Sequence, residues 1–131
     1  MADRVETFRV HWADVDAGGG AHHGLASRWA EQAEHALLRS VGLSPRSFPR
    51  RRVEVDFLRP LRLDDCFDVE LSIDRLGQTS AVYSWAGVRA GEVCFRGRTV
   101  VVHVDEDGRA VSLPRELRDF TPTGSPNRSP C

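Results

Sequence analysis

The residues with the clearest chemical potential lie near the N-terminus, in residues 14–24, where two aspartates and two adjacent histidines flank three consecutive glycines. Glycines let a backbone approach a ligand without a clash from a Cβ atom. The helix predicted to follow has no Ser, Thr or Asp at its start, so its first N–H groups lack an internal partner. Such amides can polarise a carbonyl or bind an anion. A carboxylate just upstream, Asp16, would then face that carbonyl as nucleophile or general base.

Other interpretations of this segment stay open at the level of sequence. An aspartate between a strand and a helix is commonly a capping or turn residue, and Asp14, at the end of the strand, suits that role better than Asp16. The glycines fit neither a P-loop, which needs a lysine, nor a GxGxxG pattern, because His23 occupies the place of the last glycine. A metal-dependent hydrolase is a further alternative, with N and O ligands drawn from His11, Asp14, Asp16, His22 and His23.

Two elements must position this segment. Residues 5–12 alternate between apolar and polar side chains, which predicts a half-buried strand. From about His22 the apolar residues recur every three or four positions as far as Val41, which predicts an amphipathic helix of about five turns. Gly42 then supplies a C-terminal stop.

The rest of the chain reads as antiparallel sheet. Alternating stretches at 53–57, 67–74, 81–88 and 93–104 predict strands joined by short turns, with a final short strand near Ala110 and a helical turn within 114–120. The predicted fold class is α+β, with one long central helix wrapped by a curved sheet of five to six antiparallel strands. We expect one domain over residues 1–120 and a flexible tail over 121–131. Because such a sheet leaves an exposed edge, we also expect a homodimer that continues the sheet.

Composition narrows the class of protein. The chain has 131 residues and a net charge of −1, and all 18 of its basic residues are arginines. This balance argues against a nucleic-acid or membrane footprint, and no apolar run is long enough to span a bilayer. The three cysteines show no CxxC spacing, so we expect a reducing, cytoplasmic setting with Cys66 and Cys94 as small buried side chains.

A family resemblance becomes visible once these residues are assembled. Residues 12–23, followed by Trp29-Ala30-Glu31, resemble the acyl-CoA thioesterases of the hotdog fold. The similarity is greatest to the 4-hydroxybenzoyl-CoA thioesterase-like branch, including the group associated with the Tol-Pal system. It continues through residues 53–60 and 97–104, and covers about residues 5–115.

The resemblance implies hydrolysis of an acyl thioester without a cofactor or a metal. Asp16 matches the catalytic aspartate, the backbone N–H of His23 matches the group that polarises the carbonyl, and the His23 side chain matches a histidine that assists catalysis. Glu31 matches an acidic helix position and is the second candidate for the catalytic carboxylate. The neighbouring residues expected to contact the substrate are Gly19, Gly20, His22 and Gly24.

The resemblance leaves two alternatives for the thioester carrier and two for the oligomeric state. Arg50, Arg51 and Arg52 form a candidate phosphate clamp for coenzyme A or an acyl carrier protein, or else a solvated cluster at the start of a strand. Gly24-Leu25-Ala26 replaces the small polar and aromatic residues usual after the histidine, which indicates an altered acyl pocket. The expected assembly is a dimer or a dimer of dimers. A hotdog module that binds acyl thioesters without cleaving them remains the principal alternative function.

Overall fold

A five-stranded antiparallel sheet curls around one long helix in the computed structural model, which describes residues 2–122 and Cys131. The elements are β1 (Arg4–Arg9), α1 (Leu25–Ser40), β2 (Arg50–Phe57), β3 (Cys66–Leu76), β4 (Ser80–Arg89), β5 (Glu92–Val102) and α2 (Arg115–Arg118). The strand order is β1-β3-β4-β5-β2, so β1 and β2 form the two edges. Two short 3₁₀ turns, Trp12–Asp14 and Pro45–Ser47, connect β1 to α1 and α1 to β2.

Helix α1 carries the apolar face that the spacing predicts. Its buried positions Ala26, Trp29, Ala33 and Leu37 face the sheet, and the small alanines let the backbone approach the strands closely. Gly42 ends the helix with a φ of +79°, a conformation that glycine adopts without strain. The amide of the next residue donates to the carbonyl of Leu38, which completes a Schellman-type end.

Aromatic rings fill the space between α1 and the sheet. Trp29 lies edge-on to Phe67, with ring centroids 4.7 Å apart, and Phe95 contacts both Trp29 and Trp85. The indole of Trp85 is buried, and it donates a hydrogen bond of 2.9 Å to the hydroxyl of Thr99 on the neighbouring strand. These side chains come from α1, β3, β4 and β5. They therefore join the helix and the centre of the sheet in one core.

Several sequence predictions are corrected at the level of elements. The helix begins at Leu25 rather than at His22, because residues 22–24 form a turn in which the Leu25 amide donates to the carbonyl of His22. Near Ala110 there is an isolated bridge to Val104 instead of a strand, so the described sheet has five strands. Cys66 is joined to Cys131 by a disulfide, so the expectation of a free buried thiol there is wrong.

Other expectations are met or lie outside what can be described. Cys94 is a free, buried cysteine, as predicted, and the helical turn within 114–120 is α2. The predicted tail falls largely on residues 123–130, which lie outside the described residues. None of the helices in residues 2–122 is both long enough and apolar enough to cross a membrane.

Candidate active site

A cavity of about 360 Å³ opens between the start of α1 and the end of β2. Its wall combines the polar loop that precedes α1, an apolar helix face, and the chain that leaves β2. Two sequence-predicted catalytic residues lie in this wall. The lining residues are Asp16, Ala21, His22, His23, Ala26, Trp29, Phe57, Leu58, Arg59, Pro60, Leu61, Cys94 and Phe95.

The loop that carries Asp16 is a tight, hydrogen-bonded turn. Its two ends pair as an antiparallel bridge between Val15 and Ala21. The Asp16 amide donates to the carbonyl of Gly20 at 2.9 Å, and the Gly19 amide donates to the carbonyl of Asp16 at 3.0 Å. Gly19 has a φ of +83°, a left-handed conformation that favours glycine. The glycine run therefore closes the turn that presents Asp16.

Asp14 attaches this loop to its surroundings. Its carboxylate accepts a hydrogen bond of 2.8 Å from the amide of His11, and its carbonyl accepts one of 2.8 Å from the amide of His22. The amide of Ala21 in turn donates to the carbonyl of Leu61 at 2.7 Å. Asp14 thus has the structural role that the sequence favours for it, and it leaves Asp16 as the loop carboxylate at the cavity.

The Asp16 carboxylate is only partly engaged. Its Oδ1 atom accepts a hydrogen bond of 2.9 Å from the amide of Gly18. Its Oδ2 atom accepts none from any residue in the described part of the chain. The side chain is exposed at the cavity wall. One oxygen is therefore positioned by the loop, and the other is available to a substrate or a water molecule.

In the turn before α1, the amide of Gly24 is hydrogen-bonded and the amide of His23 is unpaired. The Nδ1 atom of His22 accepts a hydrogen bond of 3.0 Å from the amide of Gly24, so the neutral ring carries its proton on Nε2. Gly24 offers no side-chain cap. The amide of His23 has no acceptor among residues 2–122. The unpaired donor in this region is therefore the His23 amide, which lies in the turn before α1 and not in its first turn.

Aromatic neighbours orient the His23 ring. It stacks on the ring of His22 with centroids 4.3 Å apart, and it meets the edge of Phe57 at 6.5 Å. Phe57 is the last residue of β2 and is 56% exposed. The end of β2 is therefore the part of the sheet that shares this side of the cavity with the start of α1.

The far wall of the cavity is apolar, and sequence reasoning missed it. Trp29 and Phe95 are buried rings that line it, and the thiol of Cys94 lies beside them. Burial raises the pKa of Cys94, so the thiol stays protonated and is a poor nucleophile. The one local signal was the pair Phe57-Leu58, whose consecutive apolar side chains break the alternation just before Pro60.

The other sequence candidates lie away from this cavity. Glu31 sits on α1, where its carboxylate pairs with Arg50 at 3.5 Å and with His35 at 3.9 Å. Arg50 also donates to the buried carboxylate of Glu34 at 2.8 Å. Arg51 and Arg52 are exposed on β2, and Arg52 pairs with Glu54 on the same strand. None of Glu31, Arg50, Arg51 and Arg52 lines the cavity.

The pair between Glu34 and Arg50 predicts a pH effect on stability. Glu34 is 1% exposed, and burial raises the pKa of its carboxyl, although the hydrogen bond from Arg50 opposes this. An unfolded chain loses this proton near its ordinary pKa of about 4.3, before the folded chain does. The contribution of Glu34 to the free energy of unfolding is therefore present below that value and declines as the pH rises towards the folded pKa.

We expect the substitution Glu34→Gln to expose this decline. The free energy of unfolding, measured in urea from about pH 4 upward, should fall in the native chain relative to the variant. Taking the difference between the two proteins cancels the titration of all the other carboxylates. A difference that stays constant or grows with pH would contradict the direction assigned to Glu34.

The described residues do not assemble the alternative metal centre. Within residues 2–122 and Cys131, no three His, Cys, Asp or Glu side chains are grouped so that they could hold an ion. The stacked rings of His22 and His23 use one face for each other, and Nδ1 of His22 already accepts the Gly24 amide. The site offers a carboxylate and a backbone amide instead.

Comparison with known proteins agrees with this architecture. Residues 18–94 match the family model described as the Thioesterase superfamily. The acyl-CoA thioester hydrolase YbgC of Escherichia coli is 29% identical over 101 residues, which are 72% of this chain and 75% of that protein.

Solved structures share the fold at lower identity. The BH1999 gentisyl-coenzyme A thioesterase superposes with a TM-score of 0.82 at 24% identity, covering 88% of this chain and 99% of its own. Slr0204 of Synechocystis, a 1,4-dihydroxy-2-naphthoyl-CoA thioesterase, gives a TM-score of 0.81 at 19% identity, covering 88% and 92%. The sheet wrapped around one long helix is the hotdog fold, and the chain belongs to the thioesterase superfamily.

Proposed function

We propose that this protein hydrolyses the thioester bond of an acyl-CoA. The observation that carries the proposal is that Asp16, whose carboxylate is half-engaged, and His23, whose amide is unpaired, line one cavity together with an apolar wall. A carboxylate, a carbonyl-polarising donor and an apolar surface are the groups that hydrolysis of an acyl thioester requires.

In the proposed mechanism the His23 amide acts on the carbonyl oxygen of the thioester and the Asp16 carboxylate acts at its carbonyl carbon. The carbonyl oxygen accepts a hydrogen bond from the His23 amide, which stabilises the negative charge that develops on this oxygen. Removing one such donor from an enzyme typically costs about 10²–10³ in rate. His23 lies two residues before α1, so the positive end of the helix dipole adds to this effect.

Asp16 promotes the attack on the carbonyl carbon by one of two routes. As a nucleophile, Oδ2 forms a bond to the carbonyl carbon, the C–S bond breaks, and water then hydrolyses the resulting anhydride. As a general base, the carboxylate takes a proton from the water that attacks. In both routes the thiol leaves as a thiolate, whose pKa of about 8.5 removes the need for a strong general acid.

The apolar wall is the proposed site of the acyl group. Trp29 and Phe95 offer buried aromatic faces, and the small side chain of Ala26 lies in the same wall. The YbgC relative is named for acyl-CoA thioesters, which supports coenzyme A as the carrier. An acyl carrier protein presents the same thioester on the same phosphopantetheine arm, and it is kept as a second carrier in the test below.

The test is the release of free thiol from a panel of thioesters. Purified protein is supplied with short, long and aromatic acyl-CoAs and with one acyl carrier protein substrate. We expect turnover of at least one acyl-CoA, unaffected by a chelator. Binding of acyl-CoA with no release of thiol would contradict hydrolysis and favour a module that only binds.

We further propose that two chains pair along β2. This edge strand has exposed positions along almost its whole length, and apolar side chains are among them: Val53 is 42% exposed and Phe57 is 56% exposed. An exposed edge with apolar side chains is a template for pairing with another strand. A second copy, added antiparallel, would satisfy the edge and extend the wall that Phe57 contributes to the cavity.

The substitution Val53→Glu tests this pairing. In a symmetric dimer this substitution places two new carboxylates on the pairing surface, where a charge that loses its water without a partner destabilises association. We expect sedimentation equilibrium to give twice the chain mass for the native protein and the chain mass for the variant. A native monomer, or a variant that remains fully dimeric, would contradict pairing through β2.

A further inference from the structure

Arg59 differs from the other arginines because it lies in the cavity wall. Among the lining residues that the described chain provides, it is the only arginine, and it stands beside two histidines, His22 and His23. The sequence predicted a phosphate clamp at three other arginines. Arg50 is paired with Glu34 of α1, and Arg51 and Arg52 are exposed along β2. Arg59 is therefore the one permanently charged cation that the described cavity wall offers to an anion.

The backbone holds Arg59 firmly at the rim. The amides of Leu58 and Arg59 both donate to the carbonyl of Cys94, at 2.8 and 2.9 Å, and Pro60 follows directly. Its guanidinium Nε pairs with a carboxylate oxygen of Glu92 at 3.3 Å. The two side chains are 58% and 59% exposed, so this ion pair is solvated and contributes little to stability.

We propose that Arg59 binds a phosphate group of the coenzyme A carrier and that Glu92 is displaced when it does so. This inference rests on the proposed function. A planar guanidinium can hold a phosphate through two hydrogen bonds, and an arginine stays charged at any physiological pH.

The position of Arg59 favours the carrier over the acyl group as the source of the anion. The deep wall of the cavity is built from Trp29, Phe95 and Ala26, where an unpaired charge would have a high desolvation cost. The exposed rim leaves a charged group hydrated. The phosphates of coenzyme A lie on the part of the substrate that extends to solvent, so they are the anion expected at the rim.

Glu92 gives the proposal a second, opposite consequence. In the free protein its carboxylate occupies the guanidinium that the phosphate must reach. Glu92 therefore competes with the substrate and also repels its negative charge. Removing the charge of Glu92 should strengthen binding, whereas removing that of Arg59 should weaken it.

The experiment measures the binding of coenzyme A by titration calorimetry, together with hydrolysis of two matched thioesters. One thioester carries its acyl group on coenzyme A, and the other carries it on N-acetylcysteamine, which has no phosphate. We expect Arg59→Gln to weaken binding of coenzyme A and to raise KM for the acyl-CoA by about tenfold, the loss typical of one charge-assisted contact. The KM of this variant for the N-acetylcysteamine thioester should be unchanged.

Glu92→Gln should tighten the binding of coenzyme A.

A matched pair elsewhere on the sheet supplies the control. Arg98 and Asp74 form a similarly exposed ion pair that does not line the cavity, so Arg98→Gln and Asp74→Asn should change none of these quantities. Equal losses on both thioesters, or unchanged binding of coenzyme A in Arg59→Gln, would overturn the proposal. A defect that appears only with acyl-CoAs whose acyl group itself carries a free carboxylate would also overturn it, because Arg59 would then bind the acyl group and not the carrier. Failure of the native protein to hydrolyse any thioester would contradict the proposed function instead, because coenzyme A binding is measured separately.

Discussion

Asp16→Asn should abolish thioester hydrolysis while leaving the fold intact. The amide is isosteric with the carboxylate and can still accept the hydrogen bond from Gly18, so the loop should keep its geometry. It can neither attack the carbonyl nor take a proton from water. We expect kcat to fall by about 10³-fold or more, which is within the range for loss of a catalytic acid or base. Thiol release measures the rate, and circular dichroism with thermal unfolding checks the fold.

The second carboxylate candidate provides the control for this substitution. Glu31 is paired with Arg50 on α1 and lies outside the cavity wall, so Glu31→Gln should retain activity of the native order. Full activity in Asp16→Asn, above all together with an inactive Glu31→Gln, would show that the carboxylate is wrongly assigned.

Gly97→Ala should be among the most destabilising substitutions in the sheet. A Cβ atom at Gly97 would lie 2.1 Å from the carbonyl oxygen of Glu54 and 2.5 Å from the ring of Trp85. The carbonyl belongs to the β2 backbone, so relief of the clash requires β2 to move away from β5. Overpacking in a core usually costs about 1–3 kcal/mol and occasionally more, and we expect the upper part of this range. Urea unfolding of the variant measures the loss.

The same chemical change at an open position separates the clash from other effects of alanine. Gly108 lies in an exposed turn with a φ of +81°, and no atom is within 4 Å of a Cβ placed there. Gly108→Ala should therefore cost only the backbone strain of a left-handed alanine, about 1 kcal/mol. A Gly97→Ala variant that is no less stable than Gly108→Ala would contradict the packing described between β2, β4 and β5.

The candidate site was predictable where it depends on residues that are close in sequence. Asp16 and His23 are seven positions apart, on one turn between a strand and a helix. The glycines in that turn, and the absence of a capping side chain before α1, are local features. The type and spacing of the residues suggested a carboxylate and unpaired amides on this segment, and the family resemblance then pointed to Asp16 and to the amide of His23.

The remaining wall was not predictable because it depends on long-range strand pairing. Phe57 is opposite Phe95 only because the chain passes from one edge of the sheet, at β1, to the other edge, where β2 pairs with β5. Alternation shows which side chains share a face of a strand, but it does not show which strand lies next to it. Arg59 and Cys94 reach the cavity through that same pairing, so neither carried a local signal of its place.

The arginines at the start of β2 illustrate the same limit. A run of three basic residues suggests a phosphate clamp, but Arg50 is drawn to the buried carboxylate of Glu34 on α1. The helical spacing predicts the apolar face of α1, but it does not show that Glu34 is buried along with that face. The packing of α1 against β2 therefore decides that Arg50 pairs with carboxylates of the helix and is not left free for a phosphate.

The most direct test of the paired roles of Asp16 and His23 is the crystal structure of Asp16→Asn with an intact acyl-CoA bound. The roles proposed here predict that the thioester carbonyl oxygen accepts a hydrogen bond from the His23 amide at about 3 Å. They also predict that the side chain at position 16 lies against the carbonyl carbon, within reach of a direct or water-mediated attack. A thioester bound with its carbonyl directed away from that amide, or out of reach of position 16, would contradict them.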